Sequence, residues 1–146
     1  LYTNALTLLK DEKKLLPLNC KENYYYIPLE EAPFETFTNQ LNLGTTVIVK
    51  KANEINSIPA NSKIIIGLHK DNSSAYKSFK ISEESKAIIK ELSKNNNVIL
   101  NVFGSPYALI DIDIKNISTV LVSYENNDDS MMLILRLCMI SEQYKY

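Results

Sequence analysis

The stretch KIIIGLHKDNSSAYKSFKISEESKAIIKELSKNNNVILNVFG, residues 63–104, carries the pattern that decides the fold. KIIIGL is apolar at almost every position, and so is NVILNVFG. A strand with one wet face alternates apolar and polar residues; a strand buried on both faces does not. Between these two runs, the segment from Ser82 to Asn95 reads as a helix. Ser82 is placed to cap its N-terminus, and Glu83 and Glu84 fall in the first turn, where carboxylates favour the helix dipole. Ala87, Ile88, Ile89 and Leu92 form its apolar stripe. Lys94 and the asparagines at 95–97 end it. Strand, helix and strand in this order make a parallel β-α-β unit.

The same texture recurs on either side. NYYYIPL (23–29), TTVIVK (45–50) and STVLVSYE (118–125) are further strands. Phe34, Phe37 and Leu41 are spaced as on a helix over Glu35–Asn42, with Gly44 as its stop. GSPYAL (104–109) reads as a turn into a short helix, with Ser105 as cap and Pro106 at the first helical position. ENNDDS (125–130) opens a last helix, capped by Asp128 or Asn127. The connection at 51–62 is too short for a long helix, so an irregular crossover is expected there. Asp111 and Asp113 alternate with Ile110, Ile112 and Ile114, which suggests an exposed extended edge. The first ten residues, LYTNALTLLK, are expected to be helical, followed by the charged run Asp11–Lys14 and a leucine cluster stopped at Pro17. The expected fold is α/β: an open, largely parallel sheet of about five or six strands, covered by helices on both faces as a three-layer sandwich.

Composition excludes several kinds of chemistry. The 146 residues are 45% hydrophobic, enough for one domain with a real core, and the net charge is −1. A broad basic face is not expected, so nucleic acid and anionic membrane are poor partners. The two cysteines, Cys20 and Cys138, are far apart and form no CxxC pattern, so they read as unpaired thiols. A single histidine, His69, argues against a histidine metal cluster, and no metal or cofactor is expected. The apolar run 131–135 is far short of the roughly 20 residues a membrane span needs. With three glycines there is no glycine-rich phosphate loop.

In open parallel sheets, ligands gather outside the carboxyl ends of the strands. Those ends bring forward His69 as an acid/base group, Ser105 as a polar contact and Glu125 as a carboxylate. Each also has a plainer role. His69 is a polar residue leaving a strand, Ser105 is a helix cap, and Glu125 stands beside a helix N-terminus. Position in a fold does not by itself establish function. No G-x-S-x-G or H-E-x-x-H pattern occurs. The carboxylate pairs Glu30-Glu31, Glu83-Glu84 and Asp128-Asp129 read as turn and cap charges, because adjacent residues do not face each other across a scissile bond. The segment from Met131 to Ile140 is apolar all round, as expected of an element that packs on a partner or on a second copy of the chain.

Several stretches taken together resemble one family. ALTLLKDEKKLLPL (5–18) is similar to the segment that opens the second domain of glycoside hydrolase family 3. YYYIPLEEAPFETFTNQLN, IIIGLHKDNSSAYKSFKIS, NNNVILNVFGSPYAL and STVLVSYENN follow in the order found in β-N-acetylhexosaminidase-type members from Bacteroidetes-like bacteria. The resemblance covers positions 5 to about 127. It implies an α/β sandwich domain that follows a (β/α)₈ barrel. It also implies a parent enzyme that cleaves β-linked N-acetylhexosamine or related sugars with retention. In members of that type the nucleophilic Asp and the His–Asp acid/base pair lie in the barrel. In β-glucosidase-type members the second domain supplies an acid/base Glu, which matches no Glu of this sequence, so no catalytic residue is carried over.

On this reading residues 1–18 are an interdomain helix and anchor, and residues 19–146 form one globular unit with them. The chain alone is non-catalytic, its partner is the barrel, and His69, Ser105 and Glu125 are candidates for the substrate rim. The sequence departs from the family after Asn127, and the last sheet strand of the family's domain is expected to be missing. A periplasmic or cell-envelope location for the parent goes with the resemblance. The alternative is a stand-alone flavodoxin-like module that binds a small ligand or regulates. A flavin is disfavoured, because IPLEEAP stands where a phosphate loop would follow the first strand. A third reading is a small enzyme using His69 and Glu125.

Overall fold

In the computed structural model, the structure describes residues 6–12, 22–30, 46–69, 81–103, 109 and 112–123. Six strands form one sheet: β1 (Leu6–Asp11), β2 (Asn23–Leu29), β3 (Thr46–Val49), β4 (Lys63–His69), β5 (Asn97–Phe103) and β6 (Thr119–Ser123). One α-helix, α1 (Glu83–Asn95), and a 3₁₀ helix at Ala52–Ser57 are described with them. The strand order is β1-β6-β5-β4-β2-β3. All neighbours are parallel except β1, which runs antiparallel to β6. The fold is therefore α/β, with a six-stranded, mostly parallel sheet.

The apolar runs become the central strands for the expected reason. Ile64, Ile66 and Leu68 of β4 lie in one buried cluster with Ile88, Ile89 and Leu92 of α1. Val98, Leu100 and Val102 of β5, and Val120 and Val122 of β6, complete this layer. Each such side chain taken from water contributes about 1.5–3 kcal/mol. The opposite face is dry as well: Tyr24, Tyr26, Ile65, Ile99 and Leu121 are all buried. Both faces being buried removes any need for alternation.

α1 begins as the sequence indicates. The Ser82 hydroxyl accepts from the Ser85 backbone N–H at 3.2 Å. Lys86 and Glu83 pair at 3.0 Å on the exposed face. The crossover from β3 to β4 is irregular, with the 3₁₀ helix packing Ile55 and Ala52 onto the core. Pro28 is tolerated inside β2 because β3 ends early. The Lys50 N–H bonds the Tyr26 carbonyl at 2.9 Å, so the backbone groups of Tyr26 face β3. Pro28 faces the same way, past the last residue of β3, where its missing N–H has no ladder to break.

Two expectations are corrected. Residues 6–10 are not helical; they belong to β1. Propensity in this leucine- and lysine-containing stretch is a weak prior, and pairing with β6 overrides it. The pairing is fixed by groups distant in sequence. The Thr119 hydroxyl donates to Asp11, the Glu12 N–H bonds the Ser118 carbonyl at 2.9 Å, and Lys10 Nζ bonds the Ile114 carbonyl at 2.8 Å. A bulge between Leu8 and Lys10 leaves Leu9 exposed on the sheet edge. The alternation around Asp113 is not a strand either. Ile112 and Ile117 close turns onto the carbonyls of Leu109 and Ile114, which buries both isoleucines and leaves Asp113 outside. The expected helices at 35–42, 104–109 and 125–140 lie outside the described residues, apart from Leu109. So do Cys20, Cys138 and the segment from Met131 to Ile140.

Candidate functional site

Setting aside β1, the parallel strands lie in the order β3-β2-β4-β5-β6. The chain moves outward from β2 to β3, then returns to the other side of β2 for β4. β2 and β4 therefore flank the topological switch point, and the crevice at their carboxyl ends is where open α/β sheets place ligands. Glu30 and His69 stand there, at the ends of β2 and β4.

Glu30 has φ of 71°, a left-handed conformation that costs a residue with a side chain. Its carboxylate reaches across to α1 and accepts from the Ser82 N–H at 2.9 Å. One carboxylate thus ties the exit of β2 to the cap of α1. Negative charge is stabilised at that helix end.

His69 closes β4 and is fully buried. Its Nε2 is hydrogen-bonded to the Tyr26 hydroxyl. The two rings meet edge to face, with centroids 6.0 Å apart and planes at 66°. Burial pushes the Tyr26 hydroxyl well above the usual tyrosine range, so it keeps its proton. The imidazole tautomer sets the direction of the bond: with the ring proton on Nδ1 the hydroxyl donates to Nε2, and with it on Nε2 the hydroxyl accepts.

Gly67 makes this contact possible. A Cβ at that position would lie 2.7 Å from Cζ of Tyr26 and 2.6 Å from His69 Nε2, and closer still to the Tyr26 hydroxyl. The tyrosine of β2 occupies the space that a side chain of β4 would take. Beside Gly67 in register is Asn101 of β5. Asn101 is fully buried, and among the described residues neither atom of its side-chain amide has a hydrogen-bond partner.

Of the three residues chosen from the sequence, the structure describes His69 alone; Ser105 and Glu125 lie outside the described residues. His69 is at the expected strand end, packed beneath it against Tyr26. Tyr26, Gly67, Asn101 and the role of Glu30 were missed. Two carried a readable signal. A glycine inside IIIGLH marks a close approach, and an asparagine inside VILNVF is a polar group where burial on both faces is expected. Among the described residues, no three His, Cys, Asp or Glu side chains are grouped to hold a metal ion, and no helix is long and apolar enough to cross a membrane. A surface cleft of about 400 Å³ lies at the other end of the sheet, between the end of α1 and the start of β6, where Lys94, Lys115 and Ser118 line it.

No family model matches the chain, and no curated protein matches it by sequence. Solved structures do match in fold. A β-glucoside phosphorylase, BglX, superposes with a TM-score of 0.69 at 18% identity, over 93% of this chain and 27% of its own. A glycoside hydrolase family 3 β-N-acetylglucosaminidase from Paenibacillus sp. str. FPU-7 gives 0.66 at 13% identity, over 92% of this chain and 28% of its own. A β-glucosidase from Listeria innocua, in complex with isofagomine, gives 0.72 at 12% identity, over 93% and 24%. The chain thus spans about a quarter of the length of these structures, and it shares the fold of that quarter.

Proposed function

We propose that this chain is the second, α/β domain of a family 3 glycoside hydrolase of the β-N-acetylhexosaminidase type. The observation that carries the reading is the asymmetry of the fold matches. They take in 93% and 92% of this chain but 27% and 28% of a β-glucoside phosphorylase and a β-N-acetylglucosaminidase. The motif series from ALTLLKDEKKLLPL onward supports the same family independently of the structure. In this reading the chain packs on a preceding (β/α)₈ barrel that holds the nucleophile and the acid/base. The parent, a periplasmic or cell-envelope enzyme, hydrolyses β-linked N-acetylhexosamine or related glycosides with retention. Residues 1–18 lead from the barrel and supply edge strand β1 of the sandwich, residues 19–146 form the rest of it, and the loops after β2, β4 and β5 shape the rim of the sugar site. The buried His69 supports that rim from below, and Ser105 and Glu125 follow β5 and β6 within it. The segment from Met131 to Ile140 packs on the barrel, or on a second copy when the barrel is absent.

The test is the coding sequence upstream of Leu1, joined to an assay. A barrel domain in frame, and turnover of aryl N-acetyl-β-glucosaminides by the two-domain protein but not by residues 1–146, are expected. A start codon immediately before Leu1, or turnover by this chain that is lost in His69→Ala, overturns the reading.

One observation favours a second reading. Numbered among themselves, the parallel strands β3-β2-β4-β5-β6 follow the order 2-1-3-4-5 of flavodoxin-like domains. A stand-alone small-ligand or regulatory module would bind at the carboxyl ends of β2 and β4. Ligand-dependent chemical-shift changes confined to the ends of β2 and β4, in a chain with no barrel encoded upstream, would select it.

A further inference from the structure

We propose that the Asn101 side chain holds an ordered internal water molecule, beside Gly67 on the sheet face opposite α1. Asn101 is fully buried in the middle of β5, and among the described residues both its amide nitrogen and its amide oxygen lack a hydrogen-bond partner. A primary amide offers two donors and two acceptor lone pairs, and burying all of them unmet carries the full desolvation cost of the group. An apolar residue of similar size would avoid that cost, and the neighbours Leu100 and Val102 show how readily β5 accepts one.

The surroundings of Asn101 suit a water molecule. Parallel strands direct register partners to the same face, so Asn101 and the bare Gly67 project together. The Tyr26 hydroxyl and His69 Nε2 lie in the space over Gly67. The Asn101 amide stands one register position across from Gly67 on this face, so a water between it and the Tyr26–His69 pair would have the two or more polar partners that buried waters require. The bound water joins β5 to the Tyr26–His69 pair, so that three adjacent parallel strands are tied together just beneath their carboxyl ends. This site does not depend on the glycosidase reading.

The experiment is water–amide cross-relaxation NMR on ¹⁵N-labelled residues 1–146, with the count of long-lived internal waters from ¹⁷O relaxation dispersion. A cross-peak between the Asn101 side-chain amide protons and a long-lived water is expected, and Asn101→Leu should lose one water from the count. No cross-peak from a resolved Asn101 amide, or an unchanged count in a folded Asn101→Leu chain, overturns the proposal. If that variant does not fold, the cross-peak in the unaltered chain decides alone.

Discussion

The Tyr26 hydroxyl bonds His69 Nε2 from two strands away in sequence but one strand away in space, through the gap left by Gly67. Sheet strands rarely let a tyrosine lie across a neighbour, because the neighbour's own side chain fills that space. Here three residue types are mutually required. Glycine makes room, tyrosine brings a hydroxyl that burial keeps protonated, and histidine pairs with it through Nε2.

Gly67→Ala tests the first of these. The new Cβ collides with the Tyr26 ring and the His69 imidazole, both of which are fully buried. Overpacking of this kind costs about 1–3 kcal/mol. Urea unfolding followed by circular dichroism should show a lower midpoint with an unchanged slope. A midpoint equal to the parent's would mean that the tyrosine does not lie over position 67.

Tyr26→Phe keeps the ring and deletes the hydroxyl. The loss should be about 1 kcal/mol, the usual net worth of a buried hydrogen bond. Nitrogen-15 shifts of the His69 ring should change with it, since Nε2 loses its hydrogen-bond partner. Stability within error of the parent, together with unmoved ring shifts, would rule the contact out.

Alkaline pH offers a separate reading of Tyr26. Its pKa in the folded state is raised by burial above the model-compound value of 10.0. In the unfolded chain it ionises near that value, and in the folded chain it does not. The unfolded state therefore gains ionisation free energy as pH rises past about 10, and stability falls from there upward, while below that pH the residue causes no change. Absorbance at 295 nm should show Tyr26 titrating only when the fold opens. Tyr26→Phe should remove that late step and flatten the fall in stability. A Tyr26 signal that titrates normally in the folded chain would contradict its burial.

The cap of α1 gives a fourth test. Ser82 accepts from the Ser85 N–H through its side chain and donates its own N–H to Glu30. Ser82→Ala removes the first bond and leaves the second, and should cost about 1 kcal/mol. Ser82→Asp should recover most of that, because aspartate caps as well and adds charge where the helix dipole favours it. Equal stability of serine and alanine at this position would show that the cap contributes nothing.

Much of the architecture was legible before any coordinates. β2, β4 and β5 begin where their apolar runs begin, and α1 starts one residue after its serine cap, because burial on both faces and helix capping leave local marks. The candidate site was legible only in part. His69 was found because it ends a strand, while Tyr26 looked like one of three consecutive tyrosines. Only the direction of its side chain separates it from Tyr25, and that depends on the pleat of β2.

By itself the sequence determined an α/β chain with parallel strands, one strong helix and a histidine at a strand end. These follow from periodicity and capping, which act over a few residues. Only the tertiary structure decided that residues 6–10 are a strand, that β2 and β4 flank the switch point, and that Tyr26 reaches His69 over Gly67. Such features arise from pairings across long separations, as between Asp11 and Thr119, 108 positions apart. Which partner is available over that distance outweighs the weak local preference of either segment.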